Sequence, residues 1–412
     1  MKILFVIDSL YTSNNGTSVS AQRFAGELLK RGHRVRALCS DMPKDGQTIG
    51  GEPDFVCGVL HLPLVQPLCE KHDFRYANIR KPLIREACNW ADIVHIYVPF
   101  GISVACITYC HETGKPVTAA FHVQPENITS SLGLGKVRWA NEMLYSLFRK
   151  IVYNRVEHIH APSQFIAGQM QQRDYTAKLH VISNGIHKQF IDAGKRKRVQ
   201  ALMGQREQTD DKIRIMMIGR LSKEKRQDVI IDAARLSKYA DRIQLVFAGR
   251  GPEYEHYLEQ SRTLAHAPEF VFLEREALIE KLLQVDLYVH ASDMEIEAIS
   301  CIEAFATGLV PIIADSKESA TPQFALDERS LFEAGNPQAL AEKIDYWIEH
   351  TEERKQMEQR YADQGEKYSL KRSVTLFEQM LYAAIDDTQL QQDRMHTASK
   401  QLRAQRRKKA TA

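Results

Sequence analysis

The chain has 412 residues, 44% hydrophobic and 26% charged, with a formal net charge of +3. Those values exclude a disordered chain, and the length exceeds one comfortable core, so two domains are expected. So small a net charge gives no sign of a nucleic-acid partner, and no apolar stretch is long enough to span a bilayer. The seven cysteines, among them Cys39, Cys69 and Cys301, lack CxxC spacing and mostly sit in apolar segments. They read as buried thiols of a reducing compartment, hence a cytoplasmic protein. The apolar run in MKILFVIDSL is too short for a signal-peptide core.

In chain order, short β-branched runs recur: KILFVID at 2–8, RVRALCS at 34–40, DIVHIYVP at 92–99, VTAAFHV at 117–123, HIHAPS at 158–163 and LHVISNG at 179–185. Amphipathic segments lie between several of them, the pattern of parallel strands with crossover helices. A polar interval at 193–212 then reads as the linker region, after which strands resume at 213–219, 243–249, 270–274, 286–292 and 309–316. The expected architecture is α/β, two doubly wound parallel-sheet domains on either side of a cleft, at 1–192 and 193–370. A C-terminal helix at 371–390 is expected to return to the first domain, followed by a basic mobile tail at 391–412.

In open parallel sheets ligands bind beyond the carboxyl ends of the strands, so residues there carry the chemistry. After the first strand, Asn15, Gly16 and Thr17 lead into a helix, where a glycine turn lets backbone N–H groups approach an anion or a sugar; a plain turn explains them equally well. FHVQPEN places His122, Gln124, Glu126 and Asn127 within six residues. The helix that follows carries Lys136, Arg138, Arg149 and Lys150 among Trp139 and Phe148. Basic and aromatic groups on one element suit an anionic membrane surface, and a solvated basic face accounts for them as readily.

In the second half, GRLSKEKRQ sets Arg220, Lys223, Lys225 and Arg226 within seven residues at a strand end. Fixed cations there neutralise a diphosphate and stabilise it as a leaving group. The stretch EIEAISCIEAFATGLVPIIADS, 295–316, places Glu295 in a turn and Glu303 on the next helix. Carboxylates accept hydrogen bonds from paired hydroxyls, so beside a cationic clamp they suit a sugar and a ribose. The amides of Ala298, Ile299 and Ser300 open that helix toward an anion.

With the N-terminal glycine loop, ELLKRGHRV and the strand-end His122, these segments resemble the retaining glycosyltransferases of family 4. The resemblance spans residues 1 to about 320. It implies a GT-B fold and transfer of a hexose from a nucleotide-diphosphate sugar, with uridine as the expected base and no bound metal or cofactor. By position, Arg220 and Lys225 would hold the diphosphate, Glu303 the ribose and Glu295 the transferred sugar. His122 would lie near the reacting carbon, Arg275 near the base, and Asn15 to Thr17 on the phosphate and acceptor side. HVQPEN and the basic aromatic helix also resemble members that glycosylate membrane lipids such as diacylglycerol. The tail, with Lys400, Arg403, Arg406, Arg407, Lys408 and Lys409, fits the inner membrane face. The chain departs from the family pattern at three places: Glu297-Ala298 where Phe-Gly is common, His187 where Asp follows Asn-Gly, and Glu274 where glycine is usual. Other readings are the same chemistry on a soluble or polysaccharide-precursor acceptor, a GT-B sugar-nucleotide epimerase, and a non-catalytic sugar-nucleotide-binding subunit. A nicotinamide-dependent oxidoreductase is disfavoured, because no GxGxxG follows a strand.

Overall fold

The computed structural model describes residues 1–11, 16–43, 46–61, 75–131, 137–203 and 210–410. Asn15, Lys136 and Cys69 lie outside the described residues, as do the side chains of Arg403, Arg406, Arg407, Lys408 and Lys409. The chain divides into two compact units, Met1–Ile182 with Val374–Ala412, and Ser183–Ser373.

In the first unit, strands β1 (Lys2–Val6), β2 (Arg34–Cys39), β3 (Phe55–Val56), β4 (Ile93–Ile96), β5 (Val117–Ala120), β6 (His158–Ala161) and β7 (Lys178–Val181) form one parallel sheet. Its order is β3-β2-β1-β4-β5-β6-β7. Helices α1 (Gly16–Lys30), α2 (Lys81–Trp90), α3 (Gly101–Thr113), α4 (Pro125–Ser131), α5 (Arg138–Ile151) and α6 (Gln164–Gln171) connect the strands. Ile3 to Val6 and Ile93 to Ile96 are buried, as a strand covered on both faces requires.

The second unit starts with helix α7 (Lys188–Leu202), and its sheet has the order β10-β9-β8-β11-β13-β15. The strands are β8 (Ile213–Ile218), β9 (Ile243–Ala248), β10 (Glu269–Val271), β11 (Leu287–His290), β13 (Pro311–Asp315) and β15 (Leu331–Glu333). A separate two-stranded piece pairs β12 (Met294–Glu295) with β14 (Glu318–Ser319). Helices α8 (Gln227–Leu236), α9 (Tyr254–Gln260), α10 (Arg275–Leu283), α11 (Ile299–Ala306), α12 (Pro337–Glu349) and α13 (Thr351–Gly365) complete it. The polar interval at 193–212 is therefore no linker over its first part. α7 buries Phe190, Ile191 and Ala193 in the core of this unit, and its charged face explains the polar composition.

The last helix, α14 (Leu370–Ala410), packs on the first unit through Phe377. That ring meets Phe24 at 5.2 Å, His95 at 4.7 Å and His160 at 5.9 Å. Glu378 accepts from His33 Nε2 at 2.6 Å and from Arg31 at 3.0 Å, and Asp387 meets His158 Nε2 at 2.9 Å. From Gln389 to Gln401 every residue of this helix is exposed.

Three buried histidines cluster around Phe377 and the strand ends. Burial pushes His95 and His122 well below the ordinary histidine value, and neighbouring imidazoles add to it. His160 falls to about 4, mainly through burial, although its Nε2 donates to the Ile182 carbonyl at 2.6 Å. All three are therefore neutral in the fold. Above the unfolded value of 6.5 their burial is fully tolerated; as pH falls below it the unfolded chain takes up protons and the folded chain does not, until about pH 4 for His160. Asp8 works the other way: burial raises it to about 7, so it contributes stability at low pH that is lost as pH rises through that value. The depressed histidines, with His180 also lowered to about 4, outnumber Asp8, so stability falls overall as pH drops below 6.5. Urea denaturation should thus give a markedly lower midpoint at pH 5 than at pH 7.5. Equal midpoints would mean that these imidazoles take up protons in the folded state.

Candidate active site

In the second unit the loop after β8 carries the cations. Its backbone is pinned to the loop after β9: Gly219 N–H bonds the Ala248 carbonyl at 2.9 Å, and Leu221 N–H the Arg250 carbonyl at 3.0 Å. The approach is so close that a Cβ on Gly251 would lie 2.1 Å from the Leu221 carbonyl oxygen. Lys225 ends a single 3-10 turn, Lys223–Lys225. Arg226 adopts the left-handed region, φ 56°, and its guanidinium binds Asp228 at 3.1 Å and Asp293 at 3.3 Å. Arg220 is exposed beside them.

The acid loop faces this turn. Glu295 is held by its strand pairing with Ser319, and its carbonyl accepts from Ala320 N–H at 2.8 Å. Asp293 N–H bonds the Glu224 carbonyl at 2.9 Å, tying the acid loop to the cationic one. Glu295 Oε1 receives the Lys225 ammonium and, at 3.0 Å, His290 Nε2. Burial pushes the Glu295 carboxyl up, but the attraction of Lys225 and the His290 bond outweigh it and hold the group well below the usual carboxylate range. Glu295 is therefore an acceptor and not an acid near neutral pH. Behind it, Tyr288 reaches His290 Nδ1 at 3.2 Å and Ser300 at 3.4 Å.

Ala298 caps α11 in the left-handed conformation, φ 65° and ψ 67°. The Ala298 carbonyl takes the N–H groups of Cys301 and Ile302, which leaves those of Ile299 and Ser300 as first-turn donors without a helical acceptor. Glu303 is buried on the same helix. Glu297 is an anchor: its Oε2 accepts from Asn184 N–H at 2.8 Å and from Asn184 Nδ2 at 2.7 Å. Arg275 begins α10 and reaches Gln189 at 3.5 Å. A groove of about 410 Å³ between α7 and α10 is lined by Asp192, Glu276 and Glu280 with Arg196 as its cation, which disfavours a diphosphate there.

In the first unit, His122 follows β5 and is buried, stacked on Tyr97 with ring centres 5.5 Å apart. Its Nε2 has no hydrogen-bond partner among the described residues. Gln124 and Glu126 differ from the expectation of a ligand-facing loop: both are buried, and Glu126 accepts from Tyr145 Oη at 3.1 Å, because Pro125 starts a helix that turns them inward. Gly16 and Asn127 are exposed, and Thr17 is half-buried. On α5, Phe148 is not a surface residue; it is buried against Phe100 at 6.3 Å, and Arg149 donates to the Arg173 carbonyl at 2.7 Å. Trp139, Met143 and Leu147, four residues apart in turn, are instead 68%, 58% and 46% exposed, flanked by exposed Arg138 and Lys150.

The sequence reading missed His290, Asn184 and the function of Glu297. His290 was within reach of the strand-end argument, since it closes β11; Asn184 and Glu297 lie 113 residues apart and carry no local signal.

Two doubly wound parallel sheets, one with a cationic loop, a lysine-paired carboxylate and an open helix N-terminus at its strand ends, define a GT-B glycosyltransferase fold. The chain matches the families described as Glycosyltransferase Family 4, over residues 14–190, and Glycosyl transferases group 1, over 199–364, and it belongs to the family 4 glycosyltransferases. It is 24% identical over 321 residues to alpha-monoglucosyldiacylglycerol synthase of Streptococcus pneumoniae, covering 76% of this chain and 71% of that protein. Among solved structures, the catalytic domain of cholesterol-alpha-glucosyltransferase from Helicobacter pylori is 46% identical, with 38% of this chain and 99% of that one covered, at a TM-score of 0.37. Anabaena HepE in complex with UDP and glucose is 15% identical, with 93% and 100% covered, at a TM-score of 0.69. Among the described residues no helix is long and apolar enough to cross a membrane.

A left-handed alanine costs about 1 kcal/mol that glycine does not incur. Ala298→Gly should therefore raise the thermal midpoint slightly or leave it unchanged. A clear fall would mean that the Ala298 methyl makes packing contacts worth more than the strain.

Proposed function

We propose that this protein is a retaining, metal-independent glycosyltransferase that moves a hexose from a nucleotide-diphosphate sugar, UDP-hexose first among them, to a membrane lipid such as diacylglycerol. The observation that carries the transferase chemistry is the pairing of Lys225 with Glu295 beside the open N-terminus of α11. An arriving diphosphate brings negative charge to a loop where Arg220 and Lys225 supply cations, and the Ile299 and Ser300 amides add donors of fixed direction. As the sugar–phosphate bond breaks, those groups stabilise the charge growing on the departing diphosphate, the work a metal ion does elsewhere. Glu295, kept as an acceptor, and Glu303 on α11 suit the hydroxyls of the sugar and the ribose. His122, neutral and buried, with a nitrogen that has no partner among the described residues, supplies a hydrogen-bonding group on the acceptor side. Retention follows if the acceptor attacks from the face the diphosphate leaves, without a protein nucleophile.

Two observations favour a lipid acceptor: the relative named for diacylglycerol, and the exposed Trp139, Met143 and Leu147 row with its flanking cations. Such a row inserts at a bilayer surface while Arg138 and Lys150 meet anionic headgroups, giving reversible attachment at the inner face of the cell membrane.

Lys225→Ala and Glu303→Gln should each lower kcat/KM at least about 100-fold with the fold retained. The assay is incubation with a panel of nucleotide sugars and lipid acceptors, a diacylglycerol and a sterol included, read by mass spectrometry and by NMR of the new anomeric centre. Transfer only to water-soluble acceptors would remove the lipid half of the proposal, and conversion of the donor without any acceptor would make the protein an epimerase. In vesicle co-sedimentation, Trp139→Ala combined with Leu147→Ser should weaken binding to anionic vesicles about ten-fold or more. Undiminished binding would relocate the membrane contact.

A further inference from the structure

Arg250 and Phe272 stand just beyond the carboxyl ends of the adjacent parallel strands β9 and β10. The guanidinium carbon of Arg250 lies 4.3 Å from the centre of the Phe272 ring. Along β10 the preceding same-face residue, Phe270, is packed against Phe247 at 5.4 Å and Tyr254 at 5.1 Å. Phe272 continues that row into solvent and is 53% exposed. A large apolar ring held open to water at a strand end, with a guanidinium carbon over it, is not explained by the core.

The position of the pair is fixed by the turn that carries the arginine. Gly249 and Gly251 flank Arg250, and neither can carry a side chain: a Cβ there would fall 1.9 Å from the Gly219 carbonyl oxygen or 2.1 Å from that of Leu221. Arg250 is thus the side chain this turn presents, and its own carbonyl is bonded to Leu221, the residue after Arg220. Phe272 in turn lies three residues before Arg275. A guanidinium over an exposed phenyl ring suits another flat ring as ligand, because nucleobases stack on aromatic and arginine planes alike.

We propose that the Arg250–Phe272 pair is the stacking platform for the nucleobase of the donor, a specificity-determining element of the second unit. The proposal rests on the reading of that unit as a nucleotide-sugar site. It divides the donor between two kinds of contact: the phosphates meet the loop of Arg220 and Lys225, and the base meets a stacking surface that neither of those residues provides.

Isothermal titration of the full chain with UDP and, separately, with inorganic pyrophosphate tests it. Phe272→Ala and Arg250→Ala should each weaken UDP binding about ten-fold, the scale of a lost base stack, while pyrophosphate binding stays within about two-fold of wild type. Phe272→Trp should bind UDP at least as well as wild type. Arg250→Lys retains the charge without the plane and should behave like Arg250→Ala. In turnover the loss should appear in the KM for the donor, with kcat little changed. Equal losses for UDP and pyrophosphate would make the pair a phosphate contact, and unchanged UDP affinity in both alanine variants would leave it without a base; either result overturns the proposal. A wild-type protein that binds pyrophosphate but no nucleoside diphosphate would overturn the nucleotide-sugar reading itself, and the platform with it.

Discussion

The second unit is organised around one half-buried carboxylate, its side chain 13% exposed. Glu295 has lost most of its water, and a charge in that position persists only if the protein supplies opposite charge and hydrogen bonds in place of the solvent. Lys225 comes from the loop after β8, His290 from the end of β11, and the backbone of Glu295 itself from a two-residue strand paired to β14. Two segments, 70 residues apart at Lys225 and Glu295, are fixed by this charge. The left-handed Ala298 is the geometric result: the chain must leave the acid, pass through Glu297 with its bonds to Asn184, and start α11 within four residues.

Much of this architecture was legible in the sequence, for a simple physical reason. Strands of a parallel sheet covered by helices are apolar on both faces, so KILFV and IQLVFA announce themselves without any periodicity. Because every such strand presents its carboxyl end at the same edge, Arg220, Lys225, Glu295 and Glu303 could be grouped before any contact was known. The two-residue strands β12 and β14 were invisible, since two residues have no period. Composition misled at 193–212, where a helix with one buried face reads as a polar linker. It misled again on α5, where aromatic character alone does not tell Phe148, which is buried, from Trp139, which is not.

Three histidines of the first unit work differently from His290, although His33 and His158 also meet carboxylates. His290 works as a hydrogen-bond partner to a charge, whereas His95, His122 and His160 sit among Phe5, Phe24, Tyr97 and Phe377 as polar members of an aromatic cluster. Their rings pack much as phenyl rings do, and they retain nitrogens that a phenyl ring would lack. In His122 that combination is placed at a strand end, where the same neutral nitrogen can meet a ligand without a change of charge.

Helix α14 packs through Phe377 and Leu381, and Ala384 is the last buried residue among those of the helix whose side chains are described. The turns that follow amount to about 40 Å of helix at 1.5 Å per residue, basic by sequence and bare over Gln389 to Gln401. A stiff charged rod on a folded body enlarges the volume within which an oppositely charged surface is first met. Its effect then lies in how often an encounter begins, a rate that falls with added salt.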